Sequence, residues 1–381
     1  MLVALNDAQP GALAMPKRLY SGPIRSGAPR SSWTTSETSI ALQAFLMTPS
    51  NDPSRRSFLK TVALLSSATG IGWNLPTVKA SSDSLGSVLP KRQLGQTGES
   101  VTMLGMGGFH TGKLSENEAQ QLIDAAIEGG VRFFDTAVQY QDGGSERIYG
   151  RFLVPQYRDQ VFIMTKTLAK TAEEAEADLA GSLDRLGTDR LDLWQAHSIE
   201  SPEDAEKRAK NGVFDVMRQA KESGKVRHIG FTGHRDPQGH LRAIELFPDA
   251  ETVQMPVNAI DPAYESFIEQ VMPVAKERQL GVLAMKTLSD KGFFGTNGWT
   301  NKPTGVSPLI PDRISVKDAI RFAWSLPISV LITGADSNEH LQEKIEFARS
   351  FTPMSEEERV AMTGKVRDLA GHAVEFYKVD V

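Results

Sequence analysis

The chain has 381 residues, 40% hydrophobic and 23% charged, which suits one large domain or two average ones with a sizeable core. With no cysteine, it excludes disulfides, thiolate metal sites and thiol nucleophiles. Its net charge is −5, but residues 1–80 hold eight basic and three acidic side chains, so the remainder carries −10, which argues against a nucleic-acid partner.

Residues 1–46 are rich in Ser, Pro, Gly and Ala and show no apolar periodicity, which predicts a disordered or mis-assigned leader ahead of a true start at Met47. Residues 47–80 read as an export signal. A polar start leads to "SRRSFLK" (54–60), then a modest apolar run (61–76), then a small-residue cleavage site ending at Ala80. Arg55 and Arg56 followed by Phe58 and Leu59 resemble the twin-arginine (Tat) signal. That resemblance implies the Tat export machinery as a partner and a periplasmic location. The apolar run is too short, and too rich in Ser and Gly, for a stable membrane anchor.

From residue 81 onward the chain predicts a hairpin and then a regular alternation. "VLPKRQLGQTGESVT" (88–102) reads as two short strands around a Gln-Thr-Gly turn, able to plug one end of a barrel. Strand-like runs follow at "VTMLGMGGF", "RFFDTA", "VFIMTK", "LDLWQAH", "VRHIGFTGH", "TVQMPVN", "GVLAMKTL" and "SVLITGAD", most of them continuous and apolar, as in a parallel sheet covered on both faces. A helical pattern follows each. The first has Ser115 and Glu118 in capping-box spacing, a stripe of Ala119, Leu122, Ile123, Ala126 and Ile127, and a stop at Gly129-Gly130. Thr171 and Glu174 repeat the box before Leu179, Leu183 and Leu186, and later helices span 315–326, 338–350 and 355–377. Eight such units over residues 81–381 predict an α/β fold, a (β/α)8 TIM barrel with an N-terminal β-hairpin plug and a C-terminal helix. A doubly wound open sheet is the alternative, but no G-x-G-x-x-G follows the first strand.

Active sites of such barrels lie at the carboxyl ends of the strands. There the second strand offers Asp135 with Tyr140 on the next loop, the third Lys166, and the fourth His197. A phenol is a poor acid near neutral pH. A nearby ammonium favours the phenolate and would lower its pKa, with Asp135 anchoring the lysine. A neutral His197 would orient a carbonyl. Together they predict a general acid aimed at an oxygen that gains negative charge, as carbonyl reduction requires.

At these residues "GVRFFDTAVQYQDGGSERIYG" resembles the aldo/keto reductase signature, and "IMTK" and "LDLWQAH" are similar to that family's lysine and histidine strands. The resemblance runs from about Leu89 to Ser350. It implies catalytic roles for Asp135, Tyr140, Lys166 and His197, and NADP(H) bound in extended form across the barrel mouth. It also implies cofactor contacts from Gly107, Gly108 and Phe109 on the first loop and from Thr232 and Gln254 at the nicotinamide amide. Lys286 and Leu288 would follow on the seventh loop, and Gly334, Ser337, His340, Glu343 and Lys344 at the adenosine phosphate end. Ser337 opens a helix whose free N–H groups suit a phosphate on physical grounds alone. His340 replaces a frequent arginine and Lys344 a frequent asparagine, which leaves NAD as an alternative; Lys286 is a candidate for the missing positive charge. Met285 stands where many relatives stack an aromatic.

The implied function is NADP-dependent interconversion of aldehydes or ketones with alcohols, so the partner is a small carbonyl or alcohol substrate. A nucleotide-binding regulatory protein with little turnover is the second reading, and a Schiff-base lyase using Lys166 the third. In the loop 289–313, Phe293, Phe294 and Trp299 are candidate substrate walls, with packing of the loop onto the barrel as the alternative. His228 reads as a strand residue, His372 as a helix residue, and His234 and His240 as loop residues with bordering the substrate as their alternative; none has metal-ligand spacing.

Overall fold

Strands and helices alternate through residues 81–379, the part of the chain that the computed structural model describes; the leader and export signal read over residues 1–80 lie outside the described residues. Two short antiparallel hairpins come first, Ser81–Asp83 with Gly86–Val88 and Lys91–Gln93 with Ser100–Thr102. The second is the plug. Leu94 and Val101 join Phe133, Phe162, Met164, Leu193, Leu283 and Val330 in a cluster lining the barrel interior. The turn touches the start of the seventh strand closely: a Cβ on Gly95 would stand 2.3 Å from the Gly281 nitrogen, so only glycine fits. Gln96 N–H donates to the Gln279 carbonyl at 3.1 Å and fixes that contact.

The barrel strands are β1 Leu104–Gly107, β2 Phe133–Asp135, β3 Phe162–Thr167, β4 Leu191–Ala196, β5 Val226–Thr232, β6 Thr252–Pro256, β7 Gly281–Met285 and β8 Val330–Thr333. All neighbours pair in parallel, and β8 pairs β1, so the sheet closes on itself. The fold is a (β/α)8 barrel, and the open-sheet alternative is set aside. The main outer helices are α1 Glu116–Glu128, α2 Gly144–Phe152, α3 Ala172–Leu186, α4 Pro202–Lys210, α5 Val213–Glu222, α6 Pro237–Leu246, α7 Phe267–Glu277, α8 Val316–Trp324, α9 Asn338–Arg349 and α10 Glu356–Val366.

Their starts follow the sequence signals. Ser115 caps α1 in a reciprocal box with Glu118, and the Thr171 side chain accepts from Glu174 N–H at the start of α3. The expected α1 stripe is buried, including Leu122 and Ile123, each worth about 1.5–3 kcal/mol of apolar transfer.

One expectation fails. The helix read over 355–377 stops at Val366, and residues 371–379 run without helical structure. Tertiary contacts override helix propensity there. Glu375, Tyr377 and Lys378 are buried against the loop after β6: Asn258 Nδ2 donates to Glu375 Oε1 and Tyr377 OH at 3.0 Å, and Lys378 Nζ to Asp261 Oδ1 at 2.7 Å. His372 therefore lies beyond the helix expected to carry it.

Candidate active site

Asp135 is the last residue of β2 and Lys166 the fifth of β3, and both side chains are buried. Asp135 stands in register with Met164, so Lys166, two residues on, points to the same side of the sheet. Its Nζ makes an ion pair with Asp135, donates to the Thr136 carbonyl at 2.8 Å and reaches the Tyr140 hydroxyl at 3.2 Å. Three ammonium protons thus have three oxygens within reach.

Tyr140 is presented by a tight loop. Its N–H donates to the Ala137 carbonyl at 3.1 Å, and Gln141 and Asp142 follow in the left-handed region at φ 51° each, a strained pair of the kind that collects at functional sites. The phenol ring lies edge-on between Phe109 (5.4 Å) and His197 (5.8 Å). His197 follows β4, with its N–H on the Thr167 carbonyl at 2.8 Å. Its own carbonyl accepts from Arg208 Nη2 at 2.7 Å. Arg208, on α4, is fully buried and paired with Asp204 at 3.2 Å; sequence reading missed it, because α4 looks like a charged, solvated face.

The electrostatics differ from the sequence expectation at one group. Burial, followed by the Asp135 and Asp290 carboxylates, holds the Tyr140 phenol well above its ordinary value rather than below it. Desolvation outweighs the neighbouring ammonium. Burial also raises the Asp135 carboxyl and lowers the Lys166 ammonium, each against the pull of the other. Burial and then Lys166 push His197 well below the usual imidazole range, so it is neutral.

Asp135, Tyr140 and His197 face one cavity of about 710 Å³. Of the residues expected to contact a cofactor, Gly107, Phe109, Gln254, Lys286, Leu288, Gly334, His340, Glu343 and Lys344 line it, whereas Gly108, Thr232 and Ser337 stand off its wall. Gly108 is a packing position: a Cβ there would meet Ser145 Oγ at 2.4 Å and the Asp135 carbonyl at 2.7 Å. Thr232 and Gln254 are register partners on β5 and β6, and both are buried. Thr232 Oγ1 and Gln254 Oε1 lack hydrogen-bond partners. Two orphaned polar atoms side by side suit an amide.

At the other end His110 packs so closely on Gly334 that a Cβ there would meet its ring at 2.0 Å, and its Nε2 lies 3.8 Å from Asp336. Lys344 Nζ donates to the Gly334 carbonyl at 2.6 Å, and burial lowers its ammonium to about 8. Ser337 caps α9 by accepting from His340 N–H at 3.3 Å, so that amide is already used. Lys286 is not free: its Nζ pairs with Asp290 Oδ2 at 2.7 Å, and although burial works the other way, that ammonium holds the Asp290 carboxyl low.

The expected aromatic walls divide. Phe294 and Trp299 line the cavity, but Phe293 is fully buried in the apolar core and lines nothing. His234, read as a loop residue with bordering the substrate as its alternative, is on the wall. His240 is inside α6, fully buried and edge-on to Phe231 and Phe267, with Nε2 at 3.5 Å from the Gln254 carbonyl. His228 bonds Glu251 through Nδ1 at 3.0 Å. Among the described residues no group of three or more His, Asp or Glu side chains is arranged to hold a metal ion, and no helix is long and apolar enough to cross a membrane.

Comparison with known proteins follows the same lines. The profile of the aldo/keto reductase family matches residues 103–307. The aldo-keto reductase YhdN of Bacillus subtilis is 30% identical over 253 residues, spanning 58% of this chain and 72% of that protein. A probable aldo-keto reductase of Glycine max is 26% identical over 270 residues, 67% of this chain and 70% of its own. Among solved structures, aldo-keto reductase AKR11C1 from Bacillus halodurans in its holo form shares the fold, with a TM-score of 0.60 at 20% identity over 73% of this chain and 96% of that one.

Proposed function

From the premise that this chain belongs to the aldo/keto reductase family and is an oxidoreductase of that kind, we propose that it is an NADP(H)-dependent enzyme that interconverts aldehydes or ketones with alcohols. Tyr140 is its general acid and base. The single observation that carries this is the Lys166 Nζ at 3.2 Å from the Tyr140 hydroxyl, beside a neutral His197, on the wall of one large cavity.

The residues present fit a nicotinamide dinucleotide. The orphaned Gln254 oxygen on the cavity wall suits its amide, with the equally orphaned Thr232 oxygen behind it, and Lys344 and His340 on the same wall suit its adenosine phosphates. When bound, the cofactor supplies or accepts the hydride. NADP is favoured by Lys344 and His340, and NAD remains the alternative because Glu343 and Asp336 share that wall.

The chain's own part is proton handling. The phenol of Tyr140 stays protonated at neutral pH, so it has a proton to give as the substrate oxygen gains charge. Its O–H bond breaks, the carbonyl oxygen becomes a hydroxyl, and the Lys166 ammonium stabilises the phenolate left behind. Asp135 keeps that ammonium in place, and His197 N–H orients the carbonyl oxygen. Solvent then returns the proton to Tyr140.

Tyr140→Phe tests this. Rapid mixing of NADPH with an aldehyde panel should show hydride transfer in the parent protein and at least a hundredfold loss in the variant, with nucleotide binding retained. Nucleotide binding without hydride transfer in the parent protein would instead support the regulatory reading. Residues 47–80 support export of the folded protein to the periplasm by the twin-arginine route. Arg55→Lys with Arg56→Lys should hold the precursor in the cytoplasmic fraction.

A further inference from the structure

Exposed apolar side chains scattered singly over a surface call for no explanation, but a group of them around a polar cavity does. Phe109, Phe294 and Trp299 are all exposed, Trp299 by 53%, and all three stand on the wall of the cavity that holds Tyr140 and His197. Trp299 is held there by its own loop. Asn297 Oδ1 accepts from Trp299 N–H at 2.9 Å and from Thr300 N–H at 3.0 Å, an Asx turn that fixes the tryptophan backbone.

The indole meets His234 at 5.8 Å and Phe376 at 5.2 Å, both edge-on. Tyr377 closes the other side of His234 at 5.9 Å and a right angle. Its hydroxyl is in turn fixed by Asn258 at 3.0 Å and Glu375 at 2.9 Å, so the aromatic wall rests on the buried polar cluster of the C-terminal segment.

His234 faces the same cavity and has no hydrogen bond to another described residue. A neutral imidazole offers one N–H donor and one nitrogen acceptor, so it has both to give to a ligand. Burial, then Lys286, pushes its pKa down to about 3, so the ring is uncharged at any working pH. An anionic group beside the indole finds no free ammonium in Lys286, which lies 5.7 Å from the Trp299 ring but is tied to Asp290, and the Asp290 carboxylate shares that wall. Lys291 is exposed on the same wall.

We propose that His234 and Trp299 form a recognition subsite for neutral aromatic aldehydes or ketones whose ring carries a hydrogen-bonding substituent, in preference to short aliphatic and anionic carbonyl compounds. The indole supplies stacking area and the imidazole a directed hydrogen bond. This rests on the oxidoreductase reading above and names its substrate class.

The test compares meta-hydroxybenzaldehyde, meta-tolualdehyde, meta-carboxybenzaldehyde and propanal as substrates of the full-chain protein and of Trp299→Ala and His234→Phe. The parent protein should show its highest kcat/KM with the hydroxyl compound. His234→Phe keeps a ring but removes the donor and acceptor, and should lower the preference for hydroxyl over methyl about tenfold, the weight of one directed hydrogen bond. Trp299→Ala should lower the preference for either aromatic over propanal by about the same factor. Preference for the carboxylate or propanal in the parent, or unchanged ratios in both variants, would overturn the subsite. Calorimetric titration of the same four aldehydes keeps the two readings apart. No turnover of any of them with either nucleotide sinks the oxidoreductase reading, and the order of binding affinities then decides the subsite by itself.

Discussion

Lys166 reaches Tyr140 across 3.2 Å with the same ammonium nitrogen that pairs with Asp135, yet the phenol stays protonated because burial outweighs that ammonium. The pH dependence should therefore differ between the two directions of reaction. Reduction needs the phenol, which is present below its raised pKa, so its rate should stay level through neutral pH and decline only as pH passes well above about 10. Alcohol oxidation needs the phenolate, whose fraction rises about tenfold per pH unit below the pKa, so its rate should climb throughout that range. Initial rates in both directions over one buffer series check this, and a reduction rate that fell between about pH 7 and 9 would contradict it.

Asp135→Asn should cost more than Lys166→Met combined with Asp135→Asn. The single change leaves a fully buried ammonium without its counter-charge, which costs about 3–5 kcal/mol of stability. The double change removes both charges and should recover most of that loss, while activity stays at least about a hundredfold down because nothing then stabilises the phenolate. Urea unfolding alongside kcat separates the two effects.

The parts of this protein that were readable from sequence are those fixed by local pattern. Continuous apolar runs gave the parallel strands, and the capping boxes at Ser115 and Thr171 gave helix starts, because both depend on neighbours within a few residues. Asp135, Tyr140, Lys166 and His197 were readable because a barrel gathers strand ends at one mouth. What was not readable depends on contacts across long stretches of chain. The C-terminal segment leaves the helical pattern because Lys378 finds Asp261, 117 residues earlier, and no local signal announces that. Arg208 on a charged helix acquires its role from burial, which composition cannot supply. The direction of the Tyr140 shift is not legible for the same reason, since the sequence displays the charges and not the desolvation.

His240 should make the fold acid-sensitive. It is fully buried in α6, and burial lowers its pKa from 6.5 to about 4. The unfolded state binds a proton that the folded state refuses, so the stability from a neutral His240 is complete above about 6.5 and is lost as pH falls toward 4, by about 3 kcal/mol in all. His240→Gln should lower stability at neutral pH but make its decline between about pH 6.5 and 4 shallower. Unfolding midpoints of the two proteins at matched pH values check it; parallel curves would reject it.

Glu375 should have the opposite sign. It shares the buried cluster with Asp261, Lys378, Asn258 and Tyr377, in which two carboxyl groups face one ammonium. Burial, with Asp261 adding to it and Lys378 opposing, lifts its carboxyl from 4.5 to about 7. Between those values the folded chain holds a proton that the unfolded chain has released, so stability falls as pH rises through the window, by about 3 kcal/mol across it. The loss should show first in the segment the cluster anchors. Amide exchange at Val379, whose N–H donates to the Arg235 carbonyl at 2.9 Å, should quicken beyond the intrinsic base-catalysed rise as pH climbs from 4.5 to about 7, and follow the intrinsic rise alone above that. Glu375→Gln keeps an oxygen to accept from Asn258 and Tyr377 but carries no titrating proton, so it should remove that extra acceleration. Exchange at Val379 that tracks only the intrinsic rate in both proteins would show that the cluster does not titrate in this range.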